Sequence, residues 1–187
     1  MNIYEMTNRT KTYLAGDWTG DKDLIKKIQE WNTNNRLGLN FVDVHELTSS
    51  NDGSLNCSIK ASLRARMNIS KTFVLVVGKN TKSLRSGACF CCSRYKIAYN
   101  GFPYCLNSQF NSIDNRSFVQ YECEMALKDY NDGKLKNIVV IYNGRTIPDK
   151  SLCPDCLKNV GIHIGSDVIN EGKRCWNYQV IKKQICG

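Results

Sequence analysis

Two uninterrupted apolar runs limit most strongly how this chain folds. Residues 73–77 read FVLVV and residues 137–142 read NIVVIY, and neither run alternates with polar side chains. Short apolar runs rich in β-branched residues are typical of strands that are buried on both faces of a parallel sheet. Both runs are far shorter than the roughly 20 residues that a membrane-spanning helix needs. The sequence therefore predicts an α/β protein with a parallel sheet.

Segments with helical periodicity lie between strand-like segments. Helices are predicted at residues 21–31, 59–67, 117–128 and 174–185, and further strands at 12–16, 40–44 and 161–164. Such alternation predicts right-handed βαβ crossovers with helices on both faces of the sheet. Ligands of such sheets bind beyond the carboxyl ends of the strands. We therefore expect the turn at 16–18, the loop at 43–56, the segment after residue 78 and the start of the helix at 117 to meet at one edge.

Length, charge and composition restrict the class of protein. A chain of 187 residues predicts one domain, residues 1–187. The net charge is +9, but the lysines are scattered, which favours a basic solvated surface, so nucleic acid is not indicated as a partner. The first 11 residues lack the apolar core of a signal peptide. We expect a cytoplasmic protein with no membrane partner.

Residues 117–127, SFVQYECEMAL, place two glutamates two positions apart. A carboxylate at the sheet edge can stabilise positive charge that develops at the anomeric carbon of a sugar during glycosidic cleavage. The alternative for each glutamate is a solvated charge on a helix. Glu124 lies about 200° around the helix from Glu122, so only one of the two can face the sheet edge, and Glu124 is interpreted as a surface residue.

The order of three motifs resembles the TIR-like family of bacterial Thoeris anti-phage defence. The motifs are FVLVVGKNT at 73–81, SFVQYECEMAL at 117–127 and NIVVIYNG at 137–144. In that family a Gly-x-x-Thr turn precedes Ser-x-Trp-Val-x-x-Glu; here Phe118 takes the tryptophan position and Glu122 the glutamate position. The resemblance covers a core of about 10–145 and implies a flavodoxin-like, TIR-like parallel sheet of about five strands with helices on both faces. It leaves a Cys-rich insertion at about 80–116 and a C-terminal extension at about 146–187.

The resemblance implies a catalytic role for Glu122, which would contact the ribose of NAD and be needed to break its bond to nicotinamide. NAD would be the substrate, and a linear or cyclic ADP-ribose-derived signal would act on a partner effector; a homo-oligomer is left open. Substrate contacts are expected at Ala15, Gly16, Asp17, Trp18, Asp43, His45 and Arg85. Trp18 either stacks on the substrate or packs as an apolar lid on the first helix, and His45 and Arg85 are otherwise ordinary loop residues.

Two rival functions remain at this stage. Residues 13–16, YLAG, also resemble the first strand of nucleoside deoxyribosyltransferases, although the aspartate and glycine that precede the glutamate of that family are missing here. The roughly 30 residues that separate the GKNT turn from the glutamate helix depart from the Thoeris pattern. Such an insertion either gates the pocket, makes a dimer contact or blocks the site, so a non-catalytic interaction module is the second alternative.

Ten cysteines in a chain without a secretion signal point to metal binding or buried thiols. Two Cys-x-x-Cys motifs, Cys89 with Cys92 and Cys153 with Cys156, have the spacing of zinc knuckles. They predict a structural zinc ion that fastens the insertion to the fold. Buried free thiols and a redox pair are the alternatives.

Overall fold

The computed structural model describes residues 9–34, 41–42, 55–106 and 113–187, with the backbone alone described at 41–42. The strands are β1 (Lys11–Ala15), β2 (Phe41–Val42), β3 (Ser70–Val77), β4 (Tyr95–Ile97), β5 (Pro103–Cys105), β6 (Asn137–Tyr142), β7 (Ile162–Gly165), β8 (Asp167–Asn170) and β9 (Lys173–Trp176). The helices are α1 (Lys22–Thr33), α2 (Asn56–Met67), α3 (Phe118–Asn131) and α4 (Tyr178–Cys186).

Five strands form one parallel sheet in the order β2-β1-β3-β6-β7. The central strands β3 and β6 are buried because apolar side chains project from both of their faces and are covered by helices. Phe73, Leu75 and Val77 pack with α2 and α3, whereas Val74 and Val76 pack with α1 and α4. Fully burying each such side chain contributes roughly 1.5–3 kcal/mol. The predicted α/β fold with helices on both faces is confirmed.

The C-terminal region completes the sheet. β7 pairs with β6 and confirms the strand predicted at 161–164, so the edge strand comes from the region 146–187. The helix predicted at 174–185 is wrong at its start, because residues 173–176 pair with β8 as a hairpin. The turn of this hairpin, Glu171 and Gly172, has φ of 48° and 75°. Positive φ at both central residues fits the twist of the flanking strands, which explains why β9 forms here.

The segment between β3 and α3 contains its own small hairpin, β4 paired with β5. Residues 107–112 within this segment lie outside the described residues. In the parts of the chain that the structure describes, no helix is long and apolar enough to cross a membrane.

Candidate active site

The strand order reverses its direction between β1 and β3, and ligands of open α/β sheets usually bind at the carboxyl ends of the strands at such a switch point. β1 leads into Gly16, Asp17 and Trp18, and β3 leads into Gly78. The turn after β3 is closed by the Gly78 amide, which donates to Thr81 Oγ1 at 2.8 Å. The Gly-x-x-Thr motif therefore forms the turn at the carboxyl end of β3, which lies at the sheet edge where the sequence predicts a site.

A buried aspartate, Asp21, links three elements at this edge. The Asn143 side-chain amide, just after β6, donates to Asp21 Oδ1 at 2.9 Å and to Asp23 Oδ1 at 3.0 Å. Burial raises the pKa of Asp21, and the nearby carboxylates of Asp17 and Asp23 raise it further, while the hydrogen bond from Asn143 opposes them. Asp21 packs so closely on β3 that a Cβ added at Gly78 would lie 2.0 Å from its Oδ1.

Gly78→Ala is therefore expected to destabilise the protein by about 1–3 kcal/mol, the usual cost of overpacking a closed site. Denaturant unfolding would measure the change. In an Asp21→Ala background the added methyl has room, so the same substitution should cost much less there. An equal cost in both backgrounds would show that crowding against Asp21 is not the cause.

Glu122 lies in the second turn of α3, and the start of this helix is fixed by its cap. The Ser117 hydroxyl accepts from the Gln120 amide at 3.1 Å and satisfies one of the free amides of the first turn. Glu122 then faces the sheet and is 4% exposed. The Tyr13 hydroxyl on β1 donates to Glu122 Oε1 at 2.6 Å. The carboxyl group of the sequence motif is thus held against the first strand of the sheet.

The environment of Glu122 favours its neutral form. Burial raises its pKa to about 8, and the hydrogen bond from Tyr13 acts in the opposite direction. Burial together with the neighbouring Glu122 raises the pKa of Tyr13 well above its usual value, so this phenol stays protonated and remains a donor. A carboxyl group with a pKa near the working pH is a common feature of catalytic sites.

The other predicted substrate contacts occupy mixed positions. Ala15 is buried at the end of β1. Asp17 accepts from the Thr19 amide at 3.0 Å within its own turn. Trp18 packs against the apolar cluster that includes α1, as in the lid alternative, and its stacking on a substrate stays a prediction. Asp43 and His45 lie outside the described residues.

Arg85 lines a cavity of about 400 Å³ beside the start of α3. Lys82, Ser117 and Glu124 line the same cavity. Glu124 is 38% exposed and pairs with Arg116 at 2.7 Å. Its position agrees with the interpretation as a surface residue, and it faces away from the Tyr13–Glu122 pair.

A second cavity, of about 420 Å³, lies between α2 and α3 and is lined by Arg64, Tyr121 and Asp114 among others. The buried Lys60 supports one wall by donating to the backbone carbonyls of Asp114 and Arg116 at 3.1 and 2.8 Å. Burial alone would raise the pKa of Asp114, but hydrogen bonds from Arg116 and Lys60 outweigh it and lower the pKa to about 2. The Asp114 carboxylate in this wall is therefore ionised at neutral pH, and its bonds to Arg116 and Lys60 hold it in place.

The four cysteines that predict a zinc site are not brought together as a tetrahedral set. Within residues 9–34, 55–106 and 113–187, no three or more His, Cys, Asp or Glu side chains converge as metal ligands. Cys89 is buried and accepts from the Asp114 amide at 3.3 Å. Cys153 and Cys156 instead pack against the core beneath α3. The four-thiolate zinc prediction does not fit this arrangement, because the Cys153–Cys156 motif turns towards the core.

Two side chains of the site, Tyr13 and Asp21, are not predicted from the sequence. Tyr13 lies in the strand predicted at 12–16 and Asp21 at the start of the helix predicted at 21–31, and neither is predicted as a site residue. The contacts of both residues join positions more than 100 apart along the chain: 109 for Tyr13–Glu122 and 122 for Asp21–Asn143. No local pattern in a single sequence indicates such pairs.

One region of the chain matches a known protein family. Residues 13–86 match the family described as Thoeris protein ThsB, TIR-like domain. The matched range runs from β1 through the turn after β3, and Glu122 lies beyond it. No curated protein matches the chain.

Proposed function

We propose, from the match of residues 13–86 to the TIR-like domain family of the Thoeris protein ThsB, that this chain is a Thoeris TIR-like protein in which Glu122 enables the cleavage of NAD. The bond broken is the N-glycosidic bond between nicotinamide and ribose. The ADP-ribosyl part then becomes a linear or cyclic signal that a partner effector reads. The observation that carries the proposal is the buried Glu122 carboxyl group, hydrogen-bonded by Tyr13 and located where the family motif has its glutamate.

A buried carboxylate suits this reaction because the charge it must stabilise is positive. The nicotinamide ring of NAD is cationic, and as its bond to ribose lengthens, positive charge develops on the ribose. A fixed carboxylate in a poorly hydrated site attracts such charge more strongly than it would in water. Water, or another nucleophile within the ADP-ribosyl group, then attacks the anomeric carbon.

The reaction requires the ionised form of Glu122. At pH 7 most of the resting protein carries this proton, since burial raises the pKa of Glu122 to about 8. A bound cationic ring favours the ionised carboxylate, so the proton is released when substrate binds. The Tyr13 hydroxyl stabilises the same ionised form by donating to Oε1 at 2.6 Å.

Tyr13→Phe tests this role of the phenol. The native protein should show kcat/KM for NAD rising with pH towards a plateau, with its midpoint near the pKa of Glu122, about 8. Without the phenol the pKa of Glu122 rises, so the midpoint moves to higher pH, and kcat/KM at pH 7 falls about tenfold for each unit of the pKa change. Nicotinamide release measured between pH 6 and 10 would show the shift.

A matched control is Tyr104→Phe, which removes an exposed hydroxyl on β5. This variant should keep the native profile. If the pH profile of Tyr13→Phe superimposes on the native profile, the phenol has no role in the mechanism.

The burial of Glu122 also favours the second candidate, a non-catalytic interaction module. A carboxyl group that is 4% exposed must be uncovered before a ribose can reach it. The two functions differ in two readouts. An interaction module would release no nicotinamide at any pH and would keep its signalling activity after Glu122→Gln.

A further inference from the structure

The small hairpin in the Cys-rich insertion presents large hydrophobic side chains to solvent. β4 and β5 pair antiparallel, and Gly101 closes the turn between them with a φ of 81° and an amide that donates to the Ala98 carbonyl at 2.9 Å. The exposed hydrophobic residues in this part of the insertion are Phe90, Ile97, Tyr99, Phe102, Tyr104 and Leu106. Single exposed apolar side chains are ordinary on a protein surface, but a cluster of this size marks a contact surface.

The hairpin has one face towards the protein and one towards solvent. Side chains alternate between the two faces of a strand, and Tyr95 and Cys105 on one face are half-buried. On the other face Phe102, Tyr104 and Leu106 follow one another along β5 and just beyond it, with 70%, 44% and 49% of each residue exposed. We call this outward side the hairpin face; its members on β5 and just beyond it are these three residues, and those opposite them on the β4 side are Ala98, Lys96 and Arg94.

The hairpin face therefore has an apolar row beside a basic row, and neighbouring stretches of the chain bring no carboxylates to balance the charge. Arg94 and Lys96 are exposed, and among the residues that the structure describes neither of them forms an ion pair. The sequence from residue 80 to residue 113 contains four Lys or Arg and no Asp or Glu. An occupant that carries carboxylates is attracted to such a surface, whereas one that carries cations is repelled.

The base of the hairpin is tied to the helices of the fold. The Cys89 amide donates to the Asp114 carbonyl at 3.0 Å and joins the two ends of the insertion. The buried Lys60 of α2 donates to the same carbonyl at 3.1 Å. The Ser86 carbonyl accepts from the amide of Phe118, the first residue of α3, at 2.8 Å. A surface that is already held in place loses less conformational freedom when it binds a partner.

We propose that the hairpin face is a docking site for another protein, which binds through a segment whose apolar side chains lie beside Asp or Glu side chains. The apolar side chains of this segment cover Phe102, Tyr104 and Leu106, and its carboxylates pair with Arg94 and Lys96. An apolar centre with charged groups at its rim is the usual arrangement of a protein–protein contact. Aromatic and arginine side chains are also the residues that most often dominate the binding energy of such contacts.

The composition of the hairpin face favours a protein over three other occupants. A second copy of this chain that used the same face would bring the basic rows of both copies together with no carboxylate between them. Anionic membranes are usually bound by clusters of roughly 4–8 Lys or Arg, and the hairpin face has only Arg94 and Lys96. Single-stranded nucleic acid stacks its bases on aromatic rings, whereas Leu106 is aliphatic.

Peptide display on the folded full-length chain tests the proposal without NAD, so the result does not depend on the proposed function. A library of random peptides displayed on yeast is sorted for binding to the purified protein. We expect the enriched peptides to combine Leu, Ile, Val or Phe with Asp or Glu. Enrichment of peptides rich in Lys and Arg, or no enrichment, overturns the proposal.

Substitutions then locate the surface that the enriched peptides bind. Phe102→Ser removes part of the apolar row, and the double substitution Arg94→Glu with Lys96→Glu reverses the charge of the basic row. Each change should weaken peptide binding about tenfold or more, which corresponds to at least about 1.4 kcal/mol. Thermal unfolding verifies that both variants are folded. Binding that both variants retain in full overturns the proposal.

The β8–β9 hairpin provides a matched control, because it also combines an exposed apolar side chain with basic residues. Ile169 is 67% exposed and lies directly opposite Arg174. Ile169→Ser and Lys173→Glu should leave peptide binding within about twofold of the native value, as expected for positions outside the contact. Equal losses on the two hairpins would show that the peptides bind any apolar and basic surface, which overturns the proposal.

Two measurements on the native protein test the other occupants. Analytical ultracentrifugation would reveal a dimer that Phe102→Ser dissociates if the hairpin face binds a second copy. Co-sedimentation with phosphatidylserine vesicles, lost in Phe102→Ser, would assign the face to a lipid surface. Either result overturns the proposal, which predicts a monomeric hairpin face and no retention by the vesicles that depends on Phe102.

Discussion

Glu122→Gln is expected to lower the rate of nicotinamide release from NAD by roughly 10²–10³-fold, the usual cost of removing one preorganised charge-stabilising group. Glutamine has the same shape and can still accept from the Tyr13 hydroxyl that lies 2.6 Å from Glu122 Oε1. It cannot ionise, so it provides no negative charge opposite the developing cation. The loss should appear in kcat more than in KM, because the missing attraction is strongest in the transition state.

The same substitution should change how stability depends on pH. The pKa of Glu122 is about 8 in the folded protein, against 4.5 for an unperturbed glutamate. Between these values the unfolded chain has released the proton and the folded chain still holds it. Burying the neutral carboxyl group therefore contributes stability that is complete below pH 4.5 and is lost as pH rises to about 8.

Glutamine has no such proton, so Glu122→Gln should gain stability relative to the native protein as pH rises from 5 to 8. The limiting slope is about 1.4 kcal/mol per pH unit for one group, and the whole window amounts to a few kcal/mol. Urea unfolding of both proteins at several pH values measures the difference. Gln120→Ala, an exposed position of the same helix that carries no titratable group, should show a difference that does not vary with pH. A flat difference for Glu122→Gln as well would mean that its carboxyl group ionises normally in the folded state.

Asp129→Ala is expected to have the largest effect on stability, about 3–5 kcal/mol, which is typical of breaking a buried ion pair. The Asp129 carboxylate is fully buried in α3, two turns beyond Glu122. It pairs with Arg9 through Oδ2 at 3.0 Å and with Arg64 of α2 through Oδ1 at 2.9 Å. Removing it leaves two guanidinium groups without their carboxylate and loosens α3 from α2. Activity that depends on α3 should fall with it.

The control for Asp129 is an exposed ion pair on the other side of the sheet. Lys27 and Glu30 of α1 lie 2.8 Å apart, with the Glu30 side chain mostly exposed and the Lys27 side chain partly exposed. Glu30→Ala should cost less than about 1 kcal/mol. Thermal unfolding of both variants compares them directly, and similar losses would show that the Asp129 network contributes no more than a surface pair.

The sequence predicted those parts of the fold that depend on local patterns. The run NIVVIY at 137–142 became β6 with the same bounds, because a continuous apolar run of this length needs cover on both faces. The helix predicted at 21–31 became α1, since Leu24, Ile25 and Ile28 share one buried face. Glu122 was located by its motif, and its orientation towards the sheet follows from the helix period.

Features set by distant residues could not be predicted. The pKa of Glu122 is raised by its burial between α3 and the sheet and is lowered by the hydrogen bond from Tyr13, which comes from the first strand. The Cys153–Cys156 spacing fits a zinc knuckle equally well whether its sulfurs face solvent or the core, and only the fold of the chain after β6 decides between them. The helix predicted at 174–185 begins too early because residues 174–176 pair with β8 across the turn at Glu171 and Gly172, a pairing that helical periodicity does not indicate.

The most direct test of the account is chromatography of NAD after incubation with the purified protein, with and without lysate from phage-infected cells as a source of the activating signal. The native protein should release one nicotinamide for each NAD consumed, and Glu122→Gln should release almost none under the same conditions. Equal release by the two proteins, or none from the native protein with either addition, would contradict the assignment of Glu122 as the carboxylate that cleaves NAD.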